Sequence, residues 1–287
     1  MALDQKIIDL YDEYTHAPLP RRVFLDRLAT MAGSMAAALA LLPLLENNYA
    51  LAATVPESEP KLANSRVTFK GATGDVKAYM SRLRMGGRMP GLVIIHENRG
   101  LNPHIEDVAR RAGLAGFLAL AVDFLSPLGG TPSDADQARD MFAKLDRAQT
   151  IANGVAAATF VKNHFESTQK VGVMGFCWGG GMVNQVAVHS PDVMAAVPFY
   201  GQLPEPADVP KIKAKMMLQY AGMDERINAG LPGFEAAAKA ANVKYTLHVY
   251  DGAQHAFHND TAGDRYNEKA ATLAWSRSIA FLKETMT

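Results

Sequence analysis

The sequence predicts an α/β fold in which a mostly parallel central sheet has helices on both faces. Apolar runs such as residues 91–96 and 117–122 are continuous rather than alternating, which is typical of strands buried on both faces. These runs alternate with helical segments of about 10–15 residues or more, and such alternation favours a parallel sheet. The 287-residue chain is 48% hydrophobic and 20% charged, as expected for an ordinary globular protein.

The elements follow one another without a linker after residue 60, so residues 53–287 are predicted to form one domain. The first two strands, 66–70 and 76–82, are joined by a glycine-containing turn. The later predicted strands are 91–96, 117–122, 170–175, 195–200, 215–220 and 244–250. The predicted helices are 103–115, 134–143, 147–164, one that begins near Trp178, 230–241 and 263–284.

The composition excludes several classes of protein. The 29 Lys and Arg residues balance the 29 Asp and Glu residues, so no basic field is available to gather nucleic acid. The chain has one cysteine, Cys177, which rules out an internal disulfide framework and any metal site built from several cysteines. We therefore do not expect nucleic acid as a partner.

Residues 1–52 are predicted to be an export signal or an N-terminal extension. The sequence Arg-Arg-Val-Phe-Leu at 21–25 precedes an uncharged stretch rich in Ala, Leu and Met at 28–45, and an Ala-x-Ala site follows at 50–52. The Arg-Arg-x-Phe-Leu core resembles the twin-arginine signal of bacterial export.

Two flanking residues, Pro20 and Asp26, depart from the usual twin-arginine pattern. If the signal is used, the chain engages the twin-arginine export machinery, is periplasmic, and begins near Ala53 in its mature form. The alternative is a cytoplasmic protein whose N-terminal helical extension packs on the domain, with Arg21 and Arg22 as surface charges.

The most informative motif is Gly-Phe-Cys-Trp-Gly-Gly-Gly at residues 175–181, between a predicted strand and a predicted helix. It is similar to the nucleophile elbow of α/β-hydrolases, with cysteine in place of serine. The turn is tight, so the positions two before and two after the nucleophile must lack bulk, and Gly175 and Gly179 meet this need. The helix N-terminus favours the thiolate of Cys177. The alternative is a buried, inert cysteine.

In α/β-hydrolases an acid and then a histidine follow the nucleophile along the chain. Asp224 follows a predicted strand and a glycine, where the acid belongs, with Glu225 and Asp251 as weaker competitors. His255 follows the next predicted strand. It would take the proton of the Cys177 thiol and later protonate the leaving alcohol, and Asp224 would fix its tautomer.

A metal site is the alternative use of this region. His255 and His258 are three residues apart, with Asp251 and Asp260 nearby. Such a site leaves the cysteine at the elbow unexplained, so we predict no metal here. The choice of His255 over His258 depends on the family pattern described next.

Four segments together resemble the dienelactone hydrolases (carboxymethylenebutenolidases). Three carry the motifs Gly-Phe-Cys-Trp-Gly-Gly at 175–180, Gly-x-Asp at 222–224 and Gly-Ala-x-His-Ala-Phe at 252–257. The fourth, residues 93–102, is a strand followed by Glu, Asn and Gly. The resemblance covers residues 66–284 and implies an α/β-hydrolase fold, hydrolysis of an ester or lactone, and no need for a cofactor.

The resemblance also implies the roles of individual residues. It makes Cys177, Asp224 and His255 the catalytic triad. It further implies that Glu97 interacts with the thiol and assists its deprotonation when substrate binds. A carboxylate directly after a buried strand would be costly to leave unused, which agrees with that role.

The oxyanion hole is implied to consist of the backbone N–H groups of Asn98 and Trp178. This agrees with the general rule for the fold, in which one donor follows the nucleophile and the other comes from an early strand loop. Both residues stand at those points of the sequence.

The family's reference substrate is an unsaturated lactone whose carboxylate is held by two arginines and a tyrosine. Arg139 stands at one arginine position. Ala143 replaces the tyrosine and Asn259 replaces the second arginine. We therefore expect a relative that acts on a different ester or lactone.

The sequence thus predicts a cysteine hydrolase that works through a thioester intermediate. Two other functions remain open at this point. One is a non-catalytic binding protein that keeps the elbow as part of its scaffold. The other is a thiol redox protein that uses Cys177 alone, although it would lack a resolving cysteine.

Overall fold

The computed structural model describes residues 3–17, 19–49 and 54–286, and these contain one eight-stranded sheet in the order β1-β2-β4-β3-β5-β6-β7-β8. The strands are β1 Leu62–Gly71, β2 Gly74–Leu83, β3 Met89–Ile95, β4 Leu118–Val122, β5 Ser167–Phe176, β6 Val193–Phe199, β7 Lys215–Ala221 and β8 Tyr245–Tyr250. β2 pairs antiparallel with β1 and β4, and the remaining pairs are parallel. The predicted strands and the mostly parallel sheet are confirmed.

The six predicted helices are present, with differences at their ends, and the three helices before residue 50 and the short helix after Asp224 are additional to them. They are α1 Gln5–His16, α2 Arg21–Ala32, α3 Met35–Leu45, α4 Pro103–Leu114, α5 Ala135–Phe142, α6 Arg147–Asn163, α7 Trp178–His189, α8 Glu225–Asn228, α9 Leu231–Ala240 and α10 Glu268–Met286. The last helix was predicted from residue 263, but Gly263–Arg265 forms one 3-10 turn and Tyr266 is extended, so α10 begins at Glu268.

Helices cover both faces of the sheet because neighbouring side chains of a buried strand point to opposite sides. In β3, Leu92 and Ile94 pack in the layer under α4 and α10. Val93 and Ile95 pack in the opposite layer, under α6 and α7. All four side chains are fully buried, which explains why this strand is a continuous apolar run.

The register of the parallel strands brings four strand ends to one edge. Ile95 at the end of β3 pairs with Gly175, and Phe176 at the end of β5 pairs with Phe199. The last residue of β7, Ala221, pairs with the last residue of β8. The residues that follow β3, β5, β7 and β8 therefore meet beyond the carboxyl edge, where open α/β sheets bind ligands.

Helices α1–α3, called the N-terminal cap below, lie over this edge and form a small core of their own. The core includes Tyr11, Tyr14, Phe24 and Leu28, all less than 4% exposed. Polar contacts join the cap to loops of the sheet domain: Gln5 to Gln254, Asp12 to Arg226, the Thr15 carbonyl to Asn98, Arg21 to Asp136, and the Leu45 carbonyl to Arg265. The N-terminal segment thus packs against the predicted active edge.

In the described ranges no single helix is long and apolar enough to cross a membrane. The pair α2 and α3 meets the length and composition criteria only when taken together, and it is bent by 108°. The predicted Ala-x-Ala site at 50–52 and the predicted mature start at Ala53 lie outside the described residues.

Candidate active site

Cys177 lies in the turn between β5 and α7 with backbone angles φ 56° and ψ −118°. A non-glycine residue with positive φ is strained by about 1–3 kcal/mol, so the surrounding structure must hold it. The Cys177 N–H donates to the Phe199 carbonyl at 3.0 Å, and its carbonyl accepts from the Gly181 N–H at 3.1 Å. These two bonds fix the turn that presents the thiol beyond the sheet edge.

The two glycines of the predicted elbow stand where backbone segments touch. A Cβ on Gly175 would lie 2.5 Å from the carbonyl oxygen of Gly179. A Cβ on Gly179 would overlap the carbonyl oxygens of Ile95 and His96. The requirement for small residues on each side of Cys177 is therefore steric, as the sequence pattern predicts.

His255 and Asp224 form a buried pair beside the elbow. The Nδ1–H of His255 donates to Asp224 Oδ2 at 2.5 Å, and each side chain is at most 7% exposed. The other Asp224 oxygen accepts from the Ile227 N–H at the start of α8. The competing acids Glu225 and Asp251 are exposed. The structure therefore brings together His255 and the acid preferred from the sequence.

The second ring nitrogen of His255 is available for proton transfer. Its Nε2 is buried and has no hydrogen-bond partner among the described residues. A ring nitrogen of His255 lies within 4.8 Å of Cys177 Sγ. A buried acceptor without a partner is uncommon, and active sites are one place where it occurs.

The residues implied to form the oxyanion hole follow β5 and β3 at the carboxyl edge of the sheet. Trp178 is the first residue of α7, where backbone N–H groups have no partner within the helix. Asn98 follows β3, and its side-chain amide donates to the Thr15 carbonyl of the N-terminal cap at 2.6 Å. The ring of His96, two residues before Asn98, stacks on that of Trp178 with 5.6 Å between the centroids.

His96 is a buried residue that the sequence analysis did not single out. Its Nδ1–H donates to the Glu97 carbonyl at 2.7 Å, and its Nε2 accepts from the Phe124 N–H at 3.2 Å. Burial lowers the pKa of His96 and keeps the ring neutral, as these two opposite hydrogen-bond roles require. His96 therefore fixes the loop after β3.

Glu97 is buried in a polar cluster at the same edge. One carboxylate oxygen accepts from Asn259 at 2.8 Å, and the other accepts from the Tyr200 hydroxyl at 3.4 Å. Burial and the nearby negative charges of Glu97 and Cys177 raise the pKa of Tyr200 well above its ordinary value, so the hydroxyl stays a donor. Asn259, which replaces an arginine of the family pattern, therefore holds Glu97.

Arg139 lies against the N-terminal cap. Its guanidinium sits over the Tyr14 ring, 4.3 Å from the centroid, and donates to Asp140 at 2.7 Å. These contacts engage the side chain that the resemblance places at a carboxylate-binding position. Its role in substrate binding stays a prediction.

The largest difference from the sequence analysis is His16 at the end of α1. Its Nε2 lies 3.0 Å from Cys177 Sγ, and its Nδ1 lies 3.0 Å from a carboxylate oxygen of Asp12. Its ring meets that of His255 edge to face at 4.6 Å. The thiol thus has two imidazoles beside it, each held by an aspartate.

The charges around His16 favour its protonated form. Burial opposes a positive charge, but the negative charges of a Cys177 thiolate and of Asp12 outweigh burial and raise the pKa of His16 to about 9. Burial would raise the pKa of Asp12, yet its hydrogen bond to His16 and the positive charges of His16 and Arg226 hold it far below its ordinary value. Arg226, Asp12 and His16 therefore form a chain of alternating charge.

One atom from each of Cys177, His16 and His255 lies within 4.8 Å of the others, a donor set that can also bind Zn²⁺. Two of the four residues of the metal site considered from the sequence are paired with other side chains. Asp260 pairs with Arg111 and with His104. His255 pairs with Asp224.

His258, the rejected candidate base, lies in an aromatic layer. Its ring stacks on Phe176 at 4.8 Å, and its Nδ1 is buried without a hydrogen-bond partner among the described residues. Burial, together with the positive charges of His104 and Arg111, lowers the pKa of His258 to about 3. The ring is therefore neutral in the folded protein at neutral pH.

This neutral ring makes the protein sensitive to acid. Unfolded His258 binds a proton near pH 6.5, whereas the folded form does so only near pH 3, so its contribution to the free energy of unfolding falls as the pH drops below 6.5. We expect a loss of about 2 kcal/mol between pH 7 and pH 5 that His258→Phe removes. Urea unfolding of the wild type and of His258→Phe at both pH values measures this loss of stability. The exposed His189→Gln is the control. An equal loss in wild type and His258→Phe would contradict this account.

Two family models match the chain. The model described as dienelactone hydrolase family matches residues 76–286, which include every residue of the predicted triad. A model described as YqhI-like matches residues 2–33, the part of the chain that carries His16 and Asp12.

Relatives and solved structures agree with the first model. A protein of Methylorubrum extorquens named "Putative carboxymethylenebutenolidase" is 30% identical over 276 residues, which cover 90% of this chain and 93% of the relative. A dienelactone hydrolase-like promiscuous phosphotriesterase from metagenomic libraries superposes with a TM-score of 0.72 at 22% identity, covering 79% of this chain and all of that one. The dienelactone hydrolase of Anabaena variabilis superposes with a TM-score of 0.61 at 21% identity, with the same coverage of both chains.

These similarities establish the fold, and the predicted α/β-hydrolase fold is confirmed. The chain is a hydrolase of the dienelactone hydrolase family.

Proposed function

We propose that this protein hydrolyses an ester or lactone through a thioester on Cys177, with His255 and Asp224 completing the triad. The observation that carries this proposal is the strained turn that presents Cys177 at the sheet edge, where His255 donates to Asp224. A nucleophile, a base within reach and an acid that orients the base are the arrangement that covalent catalysis needs.

The chemistry has two halves. The thiolate attacks the carbonyl carbon, and the backbone N–H groups of Asn98 and Trp178 stabilise the oxyanion. The C–O bond then breaks and the leaving oxygen is protonated. In the second half, water attacks the thioester and releases the acid. The sequence-based assignment gives both proton transfers to His255, and its free Nε2 supports such a role.

The substrate is proposed to lack the carboxylate of the family's reference lactone. Asn259, which replaces one arginine, is committed to Glu97. Arg139 is engaged by Asp140 and Tyr14. An uncharged ester or lactone fits such a site better than an anionic one, because a buried carboxylate without a cation is costly.

Trapping the intermediate tests this proposal. The full chain is mixed with p-nitrophenyl acetate, quenched in acid and digested, and the peptides are examined by mass spectrometry. We expect acetyl on Cys177 and a loss of both acetylation and turnover after alkylation with iodoacetamide. Release of p-nitrophenol with no acetyl on Cys177 would refute the thioester.

The other two functions give different results in the same experiment. A binding protein would be alkylated at Cys177 but would release no p-nitrophenol. A thiol redox protein would consume peroxide, with oxidation of Cys177. Neither result is expected from a hydrolase with a paired His255 and Asp224.

The export signal stays a prediction. Arg21 of the twin-arginine core pairs with Glu46 at 3.1 Å and also with Asp136 of the sheet domain. N-terminal sequencing of the protein from a native host tests cleavage. A start near Ala53 would support export, and an intact end at Met1 or Ala2 would contradict cleavage.

A further inference from the structure

We propose that His16, held by Asp12, is a second catalytic histidine, so that the N-terminal cap completes the active site. This inference rests on the proposed function and divides its proton transfers. His16 serves the formation of the thioester, and His255 serves its hydrolysis.

The contacts of Cys177 are the first support. The Sγ atom lies 3.0 Å from His16 Nε2, within hydrogen-bond range for sulfur, whereas His255 Nε2 has no hydrogen-bond partner among the described residues. The imidazole that can exchange a proton directly with the resting thiol is therefore His16. His255 is free to bind a water molecule or a substrate oxygen.

The contacts of His16 resemble those of a triad histidine, because an aspartate holds one ring nitrogen and the other faces the sulfur. The Nδ1–H is shared between the carboxylate and the main-chain carbonyl of Asp12, at 3.0 and 2.9 Å. This leaves Nε2 facing the sulfur, as a base requires. Arg226 of α8 binds the other carboxylate oxygen of Asp12 at 3.0 Å and so holds this acid against the sheet domain.

Two further contacts with the sheet domain also fix the position of α1. The side chain of Asn98 donates to the carbonyl of Thr15, the residue before His16. Gln5 near the start of the helix bonds Gln254, the residue before His255. The two histidines are therefore positioned relative to each other by neighbouring residues.

Every proton transfer of the cycle is accounted for when each histidine serves one half of the reaction. At the start of the cycle the thiol proton lies on His16 Nε2, and the thiolate forms a C–S bond to the carbonyl carbon. When the C–O bond breaks, the leaving oxygen takes that proton from His16. Water then gives a proton to His255 Nε2 as its oxygen bonds the thioester carbon. The C–S bond breaks, and the sulfur recovers the proton from His255.

The test separates the two halves of the reaction. Full-length wild type, His16→Gln and Asp12→Asn are mixed with p-nitrophenyl acetate in a stopped-flow instrument, and thiolate absorbance near 240 nm is recorded against pH. The exposed His189→Gln on α7 is the matched control. Far-UV circular dichroism and thermal unfolding verify the fold.

We expect His16→Gln to slow the acylation burst by about 100-fold or more, the usual contribution of a general acid or base. Deacylation should stay within about threefold of wild type by the same reasoning, because it depends on His255. Thiolate absorbance at neutral pH should fall in His16→Gln and, to a smaller extent, in Asp12→Asn. His189→Gln should match wild type in every measurement.

Three outcomes would overturn the inference. Equal acylation rates and equal thiolate absorbance in His16→Gln and wild type would mean that α1 covers the thiol without taking part in catalysis. Faster acylation in His16→Gln would make it an inhibitor. Stoichiometric zinc in the purified wild type, lost in His16→Gln, would make His16 a ligand. Thiolate absorbance needs no turnover, so it tests the pairing of His16 with Cys177 even if acyl-Cys177 never forms and the proposed function fails.

Discussion

Replacing Cys177 by alanine should lower kcat/KM for ester hydrolysis by about 10⁴-fold or more, because the nucleophile of a triad cannot be replaced by another group of the site. The structure offers no second cysteine for the role, since the chain has one. Initial rates with p-nitrophenyl acetate at equal concentrations of the two proteins measure the effect.

Two further variants make this result interpretable. Cys177→Ser keeps the size of the side chain but carries a hydroxyl that an imidazole ionises far less readily, so it should remain nearly inactive. His189→Gln changes an exposed residue at the far end of the same helix, α7, and should be fully active. A Cys177→Ala protein that folds normally and hydrolyses the ester at the wild-type rate would remove Cys177 from the mechanism.

Replacing Gly179 by alanine should lower the free energy of unfolding by about 3 kcal/mol or more. Alanine is ordinarily favoured over glycine inside a helix by about 1 kcal/mol. Here that gain is outweighed, because the new Cβ would overlap the carbonyl oxygens of Ile95 and His96, which belong to the backbone and cannot rotate away. Chemical denaturation of the purified variant measures the change.

A matched glycine provides the control. Gly87 is exposed and has nothing within 4 Å of its added Cβ, so Gly87→Ala should change stability by less than about 0.5 kcal/mol. If Gly179→Ala were as stable as Gly87→Ala, the elbow would have room that the observed backbone does not leave. Any protein that folds despite Gly179→Ala should still lose activity, because the turn that positions Cys177 would have shifted.

Much of the fold is predictable because burial on both faces leaves a local signal. β3 is a continuous apolar run, and its alternate residues enter two different layers. Asp224 could be chosen because parallel strands bring their carboxyl ends to one edge, and His255 follows a strand of the same edge. The choice of His255 over His258 also needed the family pattern. The start of α10 was missed because the glycine and polar residues before Glu268 form a single 3-10 turn, which periodicity does not distinguish from a helix.

His16 could not be found in the same way. It lies 161 residues before Cys177, in a segment whose arginine pair and apolar stretch favour an export signal. Only its spacing from Asp12 is informative: residues four apart share one face of a helix, so an aspartate can orient the histidine. What the pair faces is decided by the tertiary packing of α1, and no local pattern encodes that.

The polar attachment of the N-terminal cap has a consequence for how substrate reaches the thiol. Cys177 is only 6% exposed beneath α1, so we expect the cap to move when a substrate enters. Because the cap core is separate from the sheet core, such a motion would break polar pairs such as Arg226 with Asp12 and would leave both cores intact. The cap belongs to the same polypeptide, so its return would be intramolecular, at an effective concentration on the order of millimolar for a short tether. Individually weak contacts would then suffice to return His16 to the sulfur.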